Sequence, residues 1–209
     1  MSKITEIKQA KGKSKRLHIY LDNAYTCTID EFTAYKHRLE VGREITLDQL
    51  EEITMESELS SGFEKAVDLI SKTPKTKRQV YTYLKDKGYL PKLCHAVVEK
   101  LCEYHYVDDE AYTKMYVDTY LNKYGKRKIM FNLEQKGIKR DIIDNALGEI
   151  EGQTEVVANF AQKYMKGKEP TRENIDKLCR HLINKGFEWA DINPIVSKIK
   201  SGEDYESWD

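Results

Sequence analysis

Apolar positions in the C-terminal two thirds of this 209-residue chain fall at helical spacing, and the pattern repeats. The phrase Leu-x-x-Lys-Gly-apolar occurs at 84–89, 133–138 and 182–187, so its glycines, Gly88, Gly137 and Gly186, stand 49 residues apart. The register extends beyond the phrase. Val80, Ile129 and Leu178 align, as do Cys94, Ile143 and Ile192, then Val97, Ala146 and Ile195, then Leu101, Ile150 and Ile199. Apolar residues meeting apolar residues at a fixed offset indicate one supersecondary unit in tandem.

Each phrase reads as a helix end, with a cation on the last turn and glycine just past it where a left-handed residue is wanted. In the first unit Thr76 and Gln79 form a capping-box pattern ahead of that helix. Pro91 opens the next helix at its first turn, where a missing N–H costs nothing. Leu93, Ala96, Val97, Leu101 and Tyr104 then make an apolar stripe. A further helix precedes each middle one: 63–70 capped by Ser60 or Ser61, then about 108–124, then about 154–165. The expected architecture is mainly α, an elongated, curved tandem array of three three-helix repeats over 62–106, 107–151 and 152–200.

Residues 1–58 read differently. Alternation at Leu17, Ile19 and Leu21, a turn at Asp22 and Asn23, and apolar segments at 4–10 and 25–29 predict three short antiparallel strands. Such a sheet needs cover. Helices at 30–39 and 46–55, the second opened by a Thr46 and Gln49 capping box, are the candidates. The stretch 56–62 reads as a connector, 11–16 as a basic turn, and 201–209 as an acidic tail containing Trp208.

Charge changes the picture because the formal net charge of zero conceals segregation. Residues 1–29 carry about +4, 30–61 about −6 and 62–106 about +4, and the remainder is near neutral. Local patches therefore say more about partners than the total does. No apolar run approaches a membrane span, and the lysine-rich start lacks the apolar stretch of a signal peptide. Cys27, Cys94, Cys102 and Cys179 form no Cys-x-x-Cys, which points to reduced thiols and a cytoplasmic protein. Cys94 and Cys102 share a helix and should face the core; Cys102 and His105 lack a second pair that would complete a metal site.

No catalytic constellation assembles: there is no Walker glycine loop, His-Glu-x-x-His or nucleophile elbow. Asp108, Asp109 and Glu110 form the tightest carboxylate cluster; they suit a helix cap better than a magnesium site. No cofactor or metal is expected. The basic clusters are more informative. Lys72, Lys75, Lys77 and Arg78 surround one middle-helix start, and Lys123, Lys126, Arg127 and Lys128 surround the next. The third unit departs, with Arg172 followed by Asn174, Ile175 and Asp176. Positive charge at a helix N-terminus opposes the macrodipole, so these cations are candidate contacts for phosphates or an acidic surface. The bland alternative is a solvated lysine-rich face. Tyr112, Tyr116, Tyr120 and Tyr124 recur every four residues; helix packing is the ordinary reading of such a stripe, base stacking the functional one.

These residues resemble the RecX family of bacterial recombination regulators. The resemblance rests on the thrice-used phrase and on Tyr106-Val107-Asp108-Asp109-Glu110-Ala111-Tyr112, similar to the family's Tyr-Leu-Asp-Asp-x-x-Phe. It rests also on Gly125-Lys126-Arg127-Lys128-Ile129 through Leu133 to Gly137. It covers about 62–200, and the strand region is similar to longer family members. Thr76, Gln79 and Val80 stand where Ser, Glu and Leu are usual, and Thr113 where alanine is common. The resemblance implies a non-enzymatic, monomeric modulator of RecA in recombination and DNA repair. It would bind the RecA filament on single-stranded DNA and limit its activities. The alternative reading is a direct single- or double-stranded DNA binder built from helix-turn-helix-like units.

Overall fold

The computed structural model describes residues 1–11 and 15–202. Residues 12–14 of the expected basic turn and the acidic tail from residue 203 lie outside the described residues. The chain divides into two compact units, Met1–Val107 and one beginning at Asp108.

The first unit opens with β1 (Ser2–Gln9), β2 (Arg16–Leu21) and β3 (Ala24–Asp30), followed by α1 (Glu31–Lys36), β4 (Glu44–Ile45) and α2 (Leu47–Lys72). The strands form one antiparallel sheet in the order β3-β2-β1-β4. Asp22 and Asn23 turn the β2–β3 hairpin with φ of 48° and 70°, the left-handed pair that a type I′ turn demands. β4, two residues pairing with Ser2 and Lys3, adds an edge that the sequence pattern does not display. One face of the sheet buries Ile4, Ile19, Leu21 and Ile29 against Ala34, Leu39, Leu50 and Ile53. The helices thus supply the cover that three short strands require.

The connector expected at 56–62 is helix. α2 runs unbroken for 26 residues, so Ser60 and Ser61 lie inside it and cap nothing. Two tertiary contacts explain the composition that looked like a break. Gly62 is buried where a Cβ would stand 3.2 Å from Val97 Cγ2, so glycine admits close packing on the helix that carries Leu93 and Val97. Ser57 is fully buried and accepts the Asp30 amide at 2.8 Å, joining α2 to the end of β3.

The first helical repeat is completed by α3 (Lys77–Asp86) and α4 (Pro91–Glu103) around a core of Ala66, Val80, Leu84, Leu93, Cys94, Val97, Leu101 and Val107. Cys94 is buried and Cys102 packs partly against this core. The second unit contains α5 (Asp109–Tyr120), α6 (Lys126–Gln135), α7 (Arg140–Gly148), α8 (Thr154–Met165), α9 (Arg172–Asn184) and α10 (Trp189–Ser201). Two cores result, one built on Ile129, Leu133 and Ile143, the other on Leu178, Leu182 and Ile192. The chain is therefore mainly α, with three three-helix groups after a small N-terminal sheet. The phrase leucines Leu84, Leu133 and Leu182 have no exposed surface. Each such burial is worth about 2 kcal/mol against exposure, which explains why the repeat is written in leucine. Gly88, Gly137 and Gly186 end α3, α6 and α9 at φ of 89°, 84° and 87°.

Candidate interaction surface

The α3 start is built by Thr76, whose hydroxyl accepts from the Gln79 amide while the Gln79 side chain accepts from the Thr76 amide. This box satisfies the helix end locally, and Lys77 and Arg78 project from the first turn into solvent. Lys75 is half-buried, and Lys72 pairs with Asp68 one turn back at 3.0 Å, an exposed pair of small energetic weight.

The α6 start is built otherwise. Its N-cap is Gly125, which offers no side chain, and the third repeat supplies the missing acceptors. The Gly125 amide donates to the Lys185 carbonyl at 2.9 Å and the Arg127 amide to the Gly186 carbonyl at 3.2 Å. The Lys126 amide donates to Gln153 Oε1 at 3.0 Å. Lys126 Nζ itself donates to the Ile150 carbonyl at 2.6 Å. The N-terminal amides of α6 are thus occupied by protein, and Lys126 serves as an internal tie. The other cations remain outward. Arg127 lies 3.8 Å from Glu188, both exposed; Lys123 sits 5.6 Å from the Tyr120 ring centroid and Lys128 5.3 Å from that of Phe131. At the third start Thr171 accepts from the Asn174 amide, and Arg172 is followed by Glu173, so no cationic corner forms.

Phe131 escaped the sequence reading. It is half exposed, beside two of the named cations. Its signal was available: two residues from both Ile129 and Leu133, it lies about 200° around the helix from the buried stripe.

The other candidates resolve. Asp108 accepts from the Glu110 and Ala111 amides at 2.8 and 3.1 Å, so it caps α5. No group of three His, Cys, Asp or Glu among the described residues could hold a metal ion. The helix expected to about 124 stops at Tyr120, yet the four tyrosines still form a ladder, Tyr112, Tyr116 and Tyr120 on α5 and Tyr124 just past it, with centroids 6.3, 4.4 and 5.9 Å apart, partly buried against the second-repeat core. Packed on that core, the stripe is packing surface, and burial raises the Tyr116 phenol pKa against a hydrogen bond from Asn132 and the charge of Lys136. The solvent side of α7 presents Asp141 and Asp144, and Arg140 is engaged by Asp144 and Glu134, which leaves little for base readout in a duplex groove.

Residues 2–46 match the family model of the regulatory protein RecX N-terminal domain. Residues 63–101 match the RecX first three-helix domain and 108–147 the RecX second three-helix domain. The regulatory protein RecX of Clostridium tetani is 33% identical over 205 residues, 95% of each chain. The chain belongs to the RecX family. RecX of Clostridium acetobutylicum is 31% identical over 206 residues, covering 95% of this chain and 96% of its own. A crystal structure of a regulatory protein RecX superposes with a TM-score of 0.71 at 28% identity, covering 94% of this chain and all of that one. The RecX structure from Lactobacillus salivarius gives a TM-score of 0.63 at 25% identity over 68% of this chain and 97% of its own. RecX is a family of regulatory proteins, and among the described residues no helix is long and apolar enough to cross a membrane.

Proposed function

We propose that this RecX-family chain regulates a RecA-type recombinase by binding its filament on single-stranded DNA, as a non-catalytic monomer in the cytoplasm. The observation that carries this reading is the relation to proteins named as RecX regulators along nearly the whole chain, sheet and all. The contact residues we assign are the cations around the α3 and α6 starts: Lys72, Lys75, Lys77, Arg78, Lys123, Arg127 and Lys128. Lys77, Arg78, Arg127 and Lys128 stand in first helical turns, where their charge opposes the helix macrodipole, which fits recruitment by a phosphate-bearing or acidic polymer. Lys126 contributes by holding the α6 start in place.

The test is a titration of recombinase ATP hydrolysis on single-stranded DNA. Wild-type protein should suppress hydrolysis in a dose-dependent way. A variant with Lys77, Arg78, Lys123 and Arg127 replaced by Glu should lose suppression at least tenfold while its far-ultraviolet dichroism is unchanged. Lys126 is left intact because its replacement would break the tie to Ile150. Undiminished suppression by the variant refutes the assigned contacts, and absence of suppression by wild type refutes the function.

A further inference from the structure

α6 carries a row that the other middle helices lack. Arg127, Phe131 and Gln135 are spaced by four on the side opposite the buried stripe, and all three are exposed. The same row in α3 is Arg78, Thr82 and Asp86, and in α9 it is Asp176, Arg180 and Asn184. Only the second repeat places an aromatic ring there. A Phe with 51% of its surface exposed and turned from the core contributes little to folding. Its neighbours are cationic: Lys128 Nζ is 5.3 Å from the ring centroid, and Arg127 is one turn back. The acidic groups of this surface are Glu188, loosely set 3.8 Å from Arg127, and Glu134, already held by Arg140 at 2.8 Å. Because the first amides of α6 are satisfied by Lys185, Gly186 and Gln153, an anion meeting this corner must be met by side chains.

We infer that Phe131, Arg127 and Lys128 form a stacking site for a base of single-stranded nucleic acid. The ring takes the π face of one base, which every base offers, while the guanidinium and ammonium take the flanking phosphates. A protein partner would be served as well by an apolar residue; a ring with two cations on the turn before it favours the nucleic acid. This goes beyond the filament reading, because the contact is with the bare strand.

The experiment measures anisotropy of labelled oligothymidine of about 20 nucleotides, and of an abasic strand of equal length, with full-length protein at low salt. Wild type should bind the thymidine strand more tightly. Phe131→Leu, which keeps apolar bulk without a π face, should weaken that strand about tenfold and leave the abasic strand unchanged. Phe131→Trp should restore binding. The double replacement of Arg127 and Lys128 by Gln should weaken both strands together and flatten the salt dependence. Equal wild-type binding of the two strands, or unchanged thymidine binding by Phe131→Leu, overturns the site. Loss of recombinase suppression by Phe131→Leu with thymidine binding intact also overturns it and assigns the ring to a protein contact. Wild-type protein that binds the strand in this pattern yet leaves the recombinase unaffected supports the site and removes the regulatory reading.

Discussion

Gly88, Gly137 and Gly186 occupy the same place in one phrase and share a positive φ, yet they do not share a tertiary role. A Cβ on Gly88 would meet nothing within 4 Å, whereas one on Gly186 would lie 2.4 Å from the Lys128 amide nitrogen. Its partner across that contact, Gly125, has a non-glycine φ of −73° and is small only because a Cβ would stand 2.1 Å from the Gly186 carbonyl. Gly88→Ala should therefore cost about 1 kcal/mol, the left-handed penalty alone. Gly186→Ala adds a clash of backbone with backbone and should cost roughly 4 kcal/mol or more. Urea unfolding of the two variants checks the difference. Equal costs would mean that the α6–α9 contact is not maintained in solution. The lysine of the phrase is similarly layered: Lys136 lies 5.6 Å from the Tyr116 centroid and Lys185 4.5 Å from that of Phe160, so it packs on an aromatic ring as well as complementing a helix end.

At the scale of elements, what repeats inside one chain segment was legible and what depends on a distant neighbour was not. Caps at Thr46 and Thr76, the Asp22 and Asn23 turn, and the helix over Thr154–Met165 are local and were readable. The unbroken α2 was hidden because Ser60, Ser61 and Gly62 imitate a linker, and only α4 and β3 reveal why small residues stand there. The junction of β3, α1 and α2 gathers on Asp30. Burial works to raise its carboxyl pKa, but hydrogen bonds from the Thr33 hydroxyl and amide and from Ser57 outweigh it and hold it below the usual carboxylate range. A depressed folded-state pKa gives stabilisation that is complete above the unfolded value of about 3.9 and is lost as pH falls through the folded one. Asp30→Ala should cost about 1 kcal/mol at pH 7, the ordinary worth of an N-cap. The gap to wild type should narrow at pH values under about 4. Urea unfolding at neutral and acid pH reads it; a gap independent of pH would exclude the carboxylate charge.

At the scale of the whole molecule, the repeat was visible because each three-helix group writes its own core, while the joint between the second and third groups uses almost no apolar signal. One buried glutamine organises that joint. Gln153 Nε2 donates to the Leu121 and Tyr124 carbonyls at 2.8 and 3.1 Å, its Oε1 accepts from the Lys126 amide, and its own amide donates to Asp191 at 2.9 Å. No periodicity marks such a residue, since the partners of its side chain are backbone groups about 30 positions away. Gln153→Leu keeps the size and strands the two carbonyls and the Lys126 amide, which should cost about 2–4 kcal/mol. Gln153→Glu keeps the acceptor for Lys126 but turns a carboxylate toward two carbonyl oxygens, so the protonated form is favoured in the folded state. A raised folded-state pKa means that the variant is best tolerated below the unfolded Glu value of about 4.3 and loses stability as pH rises through the folded one. Gln153→Glu should thus fall further behind wild type from pH 4 to 8, whereas the deficit of Gln153→Leu stays constant. Parallel pH profiles for the two variants would show that the side-chain amide does not bridge the repeats in solution.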